Sequence, residues 1–527
     1  MNSYIILFII AAYFGILLLI AWITGRKSSS NEAFFLGNRK SPWYIVSIGM
    51  IGTSLSGVTF VSVPGMVRSI DMTYMQTVLG FFFGYILIAK VLLPLYYKLQ
   101  LTSIYSYLDD RIGRHSYKTG ASFFLLSKIV GAAARLYLVV LILQHYVFST
   151  WNIPFAVTVV ISIFLVWLYT YRSGIKTIIW TDTLQALCLI AMLIVIIWQV
   201  KDKMQLDFAG MVQTLQASPH FRIFEFGDWH STQHFVKQFF SGIFITIVMT
   251  GLDQDMMQKN LSCKSLKDAQ KNMYTYGFAF TPVNFLFLSL GVLLLTLASQ
   301  QQIELPALSD DILPMFCTSG ILGHSILIFF TIGIIAAAFS SADSALTALT
   351  TSFCIDILGV EKEKAQTAKR TRLAVHLMIS VLFAIIILAF KAINSRSVID
   401  AIYMIASYTY GPLLGLFMFG LFTKKHPRDK FVPYICIASP LICFLTDYLV
   451  KRHTGYVFGY EMLMLNGAIT FWGLWLCSID NGQLAMENFE KRVLTRDERR
   501  CGCVTRLFKT PFQWKSKVQN LLSVTQT

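Results

Sequence analysis

Charged side chains are scarce in this chain. Asp, Glu, Lys and Arg make up 14% of its 527 residues, against about 25% in soluble domains. Long polar segments are also scarce, because thirteen apolar stretches follow one another closely. A membrane-spanning helix needs about 20 mostly apolar residues. The sequence therefore excludes an ordinary soluble protein and predicts an all-α polytopic membrane protein with thirteen transmembrane helices. The predicted spans are 3–24, 43–66, 72–97, 119–148, 153–171, 177–200, 237–257, 273–299, 321–358, 373–393, 398–422, 431–450 and 460–478.

Motifs of common enzymes are absent as well. The chain has no HExxH, no GxSxG and no Walker-type loop, which are the short patterns of zinc proteases, serine hydrolases and nucleotide-binding enzymes. We therefore expect no enzymatic activity and no organic cofactor.

Acidic residues are outnumbered, 28 to 44, so the formal net charge is +16. With the N-terminus outside, 32 of the Lys and Arg residues fall in inner segments and nine in outer loops. Cytoplasmic loops of membrane proteins are enriched in these residues. We expect an outside N-terminus and a cytoplasmic C-terminus, in the plasma membrane or the inner membrane of a Gram-negative cell. The positive charge then reflects topology and attraction to anionic lipids, not nucleic-acid binding.

A stripe of small and hydroxylated residues lies within the ninth span. Residues at helical spacing share one face of this helix, namely Ala337, Ser340, Ser341, Ser344 and Ala348. Asp343 lies beside them, and a carboxylate within a membrane is costly unless it faces a partner, an ion or water. Hydroxyls and a carboxylate suit a hard cation. The alternative is that the small residues only allow close helix packing.

Glycines interrupt the second and seventh spans. Gly49, Gly52 and Gly57 accompany several Ser and Thr residues in the second, and Gly242 and Gly251 precede Asp253 in the seventh. Non-helical backbone at membrane depth is tolerated where it lines a cavity or binds something. Two interrupted spans, five apart, are typical of two inverted five-helix repeats.

This pattern predicts five parts of the chain. They are an extra N-terminal helix at 1–24, a first inverted repeat at 43–200, a second at 237–422, two C-terminal helices at 431–478 and a basic cytoplasmic tail at 479–527. The segment 259–271 is interpreted as a solvated inner loop.

Several motifs give the chain a specific resemblance to a known family. They are EAFFLGNRKSPW, SGVTFVSVPG, SGIKTIIWTD, GLDQDMMQKNLSCKSLKDAQ, AAAFSSADS and YGPLLGLFMFGLF, spread over about residues 30–425. The chain resembles the sodium/solute symporter family, whose members share a leucine-transporter-like core. The resemblance implies a Na⁺-coupled secondary transporter that imports a small solute by alternating access. We expect a small-molecule solute and the lipid bilayer as partners, no nucleic acid, and function as a monomer.

The resemblance also implies ligands for Na⁺, the coupling ion and the one metal expected. These are the carbonyls of Gly52, Leu55 and Ala337 and the hydroxyls of Ser340 and Ser341, with Asp182 close to the ion. The alternative for Asp182 is a snorkelling or helix-start residue. A second sodium would use Asp343, Ser344 and Asp182. Asp343 replaces a hydroxyl found in several relatives, so it either strengthens this second site or is protonated and lets a proton replace the ion.

Lys128 and Arg135 lie seven residues apart on one face of the fourth span, a helix that lines the substrate cavity in relatives. A guanidinium suits bidentate binding of a carboxylate, so the solute is predicted to be a small carboxylate anion. The alternatives are an internal ion pair with Asp182 or Asp343 and, for Lys128, snorkelling to the inner surface. Further predicted cavity residues are Thr59, Tyr74, Gln76, Thr409 and Tyr410.

Three other functions stay open at this point. A proton-coupled carrier is suggested by Asp182 and Asp343. A transporter-derived sensor would bind solute without accumulating it, and an ion channel would conduct Na⁺ without solute.

Overall fold

The computed structural model describes residues 3–25, 31–146, 148–171, 174–360, 365–393 and 398–479. The described chain forms one large compact unit, within Met1–Thr423 and Pro427–Ser478, and a small second unit that contains residues 424–426 and 479. Apart from residue 479, the predicted basic tail lies outside the described residues. All the site residues discussed below belong to the large unit.

The described residues contain twenty α-helices and two two-residue strands. The helices are α1 (Ser3–Gly25), α2 (Asn31–Leu36), α3 (Trp43–Ser54), α4 (Gly57–Ile70), α5 (Tyr74–Leu87), α6 (Leu93–Lys98), α7 (Ser106–Arg111), α8 (Arg114–Tyr146), α9 (Phe155–Thr170), α10 (Ile175–Lys203), α11 (Phe208–Ala217), α12 (Phe235–Thr246), α13 (Gln254–Leu261), α14 (Leu266–Gln300), α15 (Ile312–Thr318), α16 (His324–Ser352), α17 (Ala365–Ile393), α18 (Val398–Phe422), α19 (Val432–Thr454) and α20 (Met462–Leu476). The strands are β1 (His426–Pro427) and β2 (Ser478–Ile479).

The apolar segments of the sequence all became helices. Among the described residues, seven helical stretches are long and apolar enough to span a membrane, two bent helix pairs qualify when each pair is taken as one span, and four further apolar helices are shorter. Each of the thirteen predicted segments overlaps one of these helices or pairs. The number of membrane crossings and the inverted repeats stay predictions.

The second predicted span is broken, as its glycines indicated. Helix α3 ends at Ser54, α4 begins at Gly57, and the two axes differ by 59°. Leu55 and Ser56 between them have non-helical ψ angles of 75° and 167°. The Ser56 hydroxyl caps α4 by accepting a hydrogen bond from the Thr59 amide at 3.4 Å. We call residues 54–57 the first break.

The seventh predicted span is broken in the same way. Helix α12 continues through a π-helical turn, Ile247–Gly251, and then bends by 65° into α13. Asp253 caps α13, because its Oδ1 accepts hydrogen bonds from the amides of Asp255, at 2.9 Å, and Met256, at 3.4 Å. A carboxylate at this position also complements the positive end of the helix dipole. We call residues 251–254 the second break.

Close packing brings α3, α10 and α16 together beside the first break. A Cβ atom on Gly52 would lie 2.7 Å from the carbonyl oxygen of Asp182 and 2.9 Å from the side chain of Ala186. Glycine at this position therefore lets the end of α3 lie directly on α10. Helix α13 also packs on α16, so both breaks lie near the stripe of small residues.

Candidate cation and solute sites

A fully buried carboxylate, Asp182 on α10, is the centre of a polar cluster. Its Oδ1 accepts a hydrogen bond from the Ser340 hydroxyl at 2.6 Å. Its Oδ2 accepts hydrogen bonds from the hydroxyls of Thr53, at 2.9 Å, and Ser344, at 3.1 Å. The same oxygen lies 2.7 Å from the ammonium nitrogen of Lys259. Asp182 is therefore neither a snorkelling nor a helix-start residue; it joins α3, α10, α13 and α16.

The position of Lys259 corrects the sequence analysis, which assigned it to a solvated inner loop. Its side chain is 1% exposed, and it lies on α13, which continues the seventh span beyond its predicted end at residue 257. Its Nζ donates to Thr53, to Asp182 and, at 2.8 Å, to Ser344. Hydropathy alone assigns a lysine to a loop. The sequence signal for a paired lysine on a helix was Asp255, four residues earlier on the same helical face.

The predicted ligands of the main sodium ion lie around the first break. Leu55 is part of the break and is fully buried. The hydroxyl of Ser341 lies 3.3 Å from the carbonyl oxygen of Ala337 and 3.5 Å from that of Thr53. The stripe on α16 therefore faces backbone oxygens of α3, an arrangement that suits a hard cation. The role of each ligand stays a prediction.

The residues predicted for a second sodium lie one turn further along α16. Asp343 is fully buried, and its Oδ2 accepts a hydrogen bond from the Tyr169 hydroxyl at 2.9 Å. Its Oδ1 has no hydrogen-bond partner among the described residues. The other two members of the set, Ser344 and Asp182, both contact the ammonium of Lys259.

A cavity of about 120 Å³ lies between the two breaks and α8. Its wall contains four of the predicted solute residues, namely Thr59, Lys128, Arg135 and Tyr410. It also contains Thr53 and Ser341, which belong to the cation region. The cavity and the predicted sodium site thus share part of their walls.

Three other predicted solute residues lie outside this wall. Tyr74 is buried and packs edge-on against Phe81. The Gln76 amide donates to the carbonyl oxygen of Gln233 at 2.8 Å and accepts from the Glu225 amide at 3.0 Å, so its polar atoms are already paired. Thr409 is absent from the cavity wall although its neighbour in sequence, Tyr410, is part of it.

Lys128 is held in an internal ion pair, but not with the partners that the sequence analysis named. Its Nζ lies 2.8 Å from Asp255 and 3.1 Å from Asp253, instead of contacting Asp182 or Asp343. Asp253 also accepts a hydrogen bond from the Tyr410 hydroxyl at 2.9 Å. Lys128 is therefore neutralised by the acidic residues at the start of α13.

Arg135 differs from Lys128 although both line the same cavity. It is half-buried on α8 and makes no hydrogen bond or ion pair with the residues that the structure describes. The charge of Arg135 is attracted by that of Asp255 at longer range, but no described residue accepts from its N–H groups, so this guanidinium is suited to an anion that enters the cavity.

Comparison with known proteins gives a consistent result. The sequence profile of the sodium:solute symporter family matches residues 34–429. The sodium/sialic acid symporter SiaT of Proteus mirabilis is 26% identical over 436 residues, which cover 80% of this chain and 85% of the relative. The sodium/sialic acid symporter NanT of Aliivibrio fischeri is 25% identical over 443 residues, with 80% and 83% covered.

A solved structure shares the fold. It shows a Na⁺-coupled sialic acid symporter in a substrate-bound outward-open state, described as revealing a novel Na⁺ site. Its TM-score against this chain is 0.77 at 21% identity, and the match covers 90% of this chain and 97% of that one.

A bundle of apolar helices with two broken spans around a charged cavity is the architecture of a membrane transporter. The chain belongs to the sodium:solute symporter family. It has the leucine-transporter-like fold, and its relatives are transporters, not enzymes.

Proposed function

We propose that this protein is a Na⁺-coupled symporter that imports a small organic solute carrying a carboxylate, by alternating access. The observation that carries the proposal is Arg135, a cation in the cavity wall that makes no hydrogen bond or close ion pair with the described residues. A guanidinium presents a planar fork of donors that binds a carboxylate through two parallel hydrogen bonds.

The charges around the cavity support an anionic solute over a cationic one. Four formal charges line it, from Lys128, Arg135, Asp253 and Asp255. Both carboxylates contact Lys128, and Asp253 also accepts from Tyr410 and from the amides of α13. The acidic groups therefore already have partners, and Arg135 is the charge still available to a ligand.

The proposed coupling site lies directly beside the cavity. Its ligands are the carbonyls of Gly52, Leu55 and Ala337 and the hydroxyls of Ser340 and Ser341, with Asp182 nearby. Thr53 and Ser341 belong both to the cavity wall and to the cation region. A sodium ion that draws α3 and α16 together thereby shapes the wall that the solute meets, which gives a direct route for coupling.

The two relatives support this solute class. Both are named as symporters of sialic acid, which is an acidic sugar that carries a carboxylate. The cavity volume of about 120 Å³ lies below the roughly 300–1,000 Å³ that is usual for ligand pockets, which favours a small solute. In our proposal the N-terminus lies outside the cell. The inward Na⁺ gradient drives import across the plasma membrane or the inner membrane.

The test is uptake of labelled solutes into proteoliposomes under an inward Na⁺ gradient, with pools of carboxylates, sugars, amino acids and nucleosides. We expect a carboxylate pool to be accumulated. Arg135→Ala should reduce that uptake at least tenfold by raising KM. Arg114→Ala is the matched control, since Arg114 lies on the same helix with a side chain that is 60% exposed. Accumulation of a neutral pool, with Arg135→Ala unchanged, would refute the carboxylate assignment.

A proton-coupled carrier is the second candidate, and Asp343 is the observation that favours it. This carboxyl group is fully buried with one oxygen unpartnered among the described residues. The same vesicles, with an inward proton gradient and no Na⁺, distinguish proton coupling from sodium coupling. Solute accumulation under these conditions, unchanged when Na⁺ is added, supports proton coupling.

A further inference from the structure

Lys259 is a buried charged residue that is not among the proposed ligands of the main sodium ion. Its side chain is 1% exposed on α13, within the seventh span. A lysine is rarely buried so completely unless it is paired. Its surroundings therefore need an explanation beyond ordinary packing.

The ammonium of Lys259 is fully coordinated by oxygen atoms. An ammonium group has three N–H donors and no acceptor. The three acceptors are the hydroxyl of Thr53, Oδ2 of Asp182 at 2.7 Å and the hydroxyl of Ser344 at 2.8 Å. Asp255 adds a more distant carboxylate at 3.6 Å. All three N–H donors of the ammonium are used within the protein, so none is left over to bind a solute or an anion.

The same oxygens are those expected to hold a second sodium ion. Asp182 and Ser344 are two of the three residues in that set, and the third, Asp343, lies beside them on α16. An ammonium and a sodium ion carry the same charge and are both attracted to carboxylate and hydroxyl oxygens. The ammonium already lies within hydrogen-bond distance of Oδ2 of Asp182 and of the Ser344 hydroxyl, and its positive charge repels a second cation at these oxygens.

The formal charges lead to the same conclusion. Asp182, Asp253, Asp255 and Asp343 carry four formal negative charges, whereas Lys128, Arg135 and Lys259 carry three positive charges. This region then has one uncompensated negative charge, which one sodium ion neutralises. Without the charge of Lys259, two sodium ions are needed for the same balance.

We propose that the ammonium of Lys259 is a resident cation that fills the second sodium position, so that this chain binds one Na⁺ where it would otherwise bind two. The inference rests on the proposed Na⁺ coupling. It has a functional consequence, since one Na⁺ and a monoanion together carry no net charge. Membrane potential then contributes nothing to accumulation, and a tenfold Na⁺ gradient concentrates the solute about tenfold.

The test counts sodium ions without any solute. Equilibrium binding of ²²Na⁺ is measured on the purified full-length protein, the neutral variant Lys259→Met and the charge-retaining control Lys259→Arg. We expect one ion per molecule for the unmodified protein and for Lys259→Arg, and two for Lys259→Met. Adding Asp343→Asn to Lys259→Met should restore a count of one, which locates the extra ion beside Asp343.

The melting temperature is a second readout, for a variant that is too unstable without Na⁺ for its bound ions to be counted. A ligand that binds only the folded state raises the melting temperature, so Na⁺ should raise that of Lys259→Met, or of Lys259→Gln, more than that of the unmodified protein. An equal rise in all of them would count against the proposal.

The outcomes separate this proposal from the proposed function. Two ions in the unmodified protein, or one ion in both the unmodified protein and a folded Lys259→Met, would overturn the resident cation. No ion in the unmodified protein but one in Lys259→Met would refute sodium coupling and leave the resident cation standing. No ion in any of them would refute both.

Discussion

The two broken helices differ in where their charges lie. The first break, residues 54–57, contains hydroxyl groups and non-helical backbone, and no charged residue occurs in α3. The second break, residues 251–254, contains Asp253 and is followed by Asp255 and Lys259, and all three residues make buried ion pairs. The first break therefore offers neutral oxygens to an ion from solution, whereas the second carries its own counter-charges.

This difference implies different costs of mutation. Removing one partner of a buried ion pair costs about 3–5 kcal/mol, because the other charge stays buried. Removing a neutral hydroxyl costs about 0.5–1.5 kcal/mol. Changes that remove one partner of an ion pair with Lys128 or Lys259 should therefore act mainly on folding stability, and changes that remove a hydroxyl near the first break should act mainly on Na⁺ dependence.

The largest effect is expected for Asp182→Asn. This change removes the carboxylate that pairs with Lys259 at 2.7 Å. The free energy of unfolding should fall by about 3–5 kcal/mol, since the ammonium stays buried without its counter-charge. Thermal unfolding in detergent measures this.

The double variant Asp182→Asn with Lys259→Met checks the cause of that loss. Removing both charges should restore most of the stability, because replacing a buried pair by uncharged residues is often nearly neutral. Asp207→Asn is the matched control, since Asp207 only caps the exposed helix α11. A double variant as unstable as the single one would mean that the pair is not the cause.

An intermediate effect is expected for Asp253→Asn. The single oxygen of the amide can still cap α13, but the oxygen that accepts from Tyr410 and the charged contact with Lys128 at 3.1 Å are lost. Because Lys128 keeps Asp255 at 2.8 Å, the loss should be about 1.5–3 kcal/mol, the range for hydrogen bonds to charged groups. Denaturation monitored by tryptophan fluorescence would show this. A loss as large as that of Asp182→Asn would contradict the sharing of Lys128.

The effect of Ser340→Ala combined with Ser341→Ala is expected mainly on Na⁺ dependence. The hydroxyl of Ser341, which bonds to carbonyl oxygens, should contribute about 0.5–1.5 kcal/mol, and that of Ser340, which donates to the carboxylate of Asp182, about 1.5–3 kcal/mol. The Na⁺ concentration for half-maximal uptake should nevertheless rise at least tenfold, because two proposed ligands are gone. Thr331→Ala is the control, since Thr331 lies on α16 and bonds only to its own helix, at Leu327. Unchanged Na⁺ dependence in the double variant would exclude this site.

The sequence predicts the helices and the breaks well, and the reason is local. Apolar length marks each span, and Gly52 and Gly57 mark the first break within one turn. Asp182 and Ser340 were also singled out from the sequence, because a carboxylate and hydroxyls inside apolar segments are conspicuous; their role as sodium-site residues stays a prediction. Their direct contact at 2.6 Å joins residues far apart in sequence and required the structure.

The charged partners could not be predicted in the same way. Lys259 follows the apolar part of its span, so hydropathy placed it in a loop, and only the bend into α13 buries it. Lys128 meets Asp253 across 125 positions, a distance at which spacing has no predictive value. Gln76 was expected to line the cavity, but it is held by the segment before α12, near Gln233.

The central claim is tested most directly by simultaneous measurement of ²²Na⁺ and labelled carboxylate entry into the same proteoliposomes. The account predicts that the carboxylate stimulates Na⁺ entry, with one Na⁺ for each monoanion and no dependence on an imposed membrane potential. Carboxylate accumulation that carries no Na⁺ with it would contradict the account.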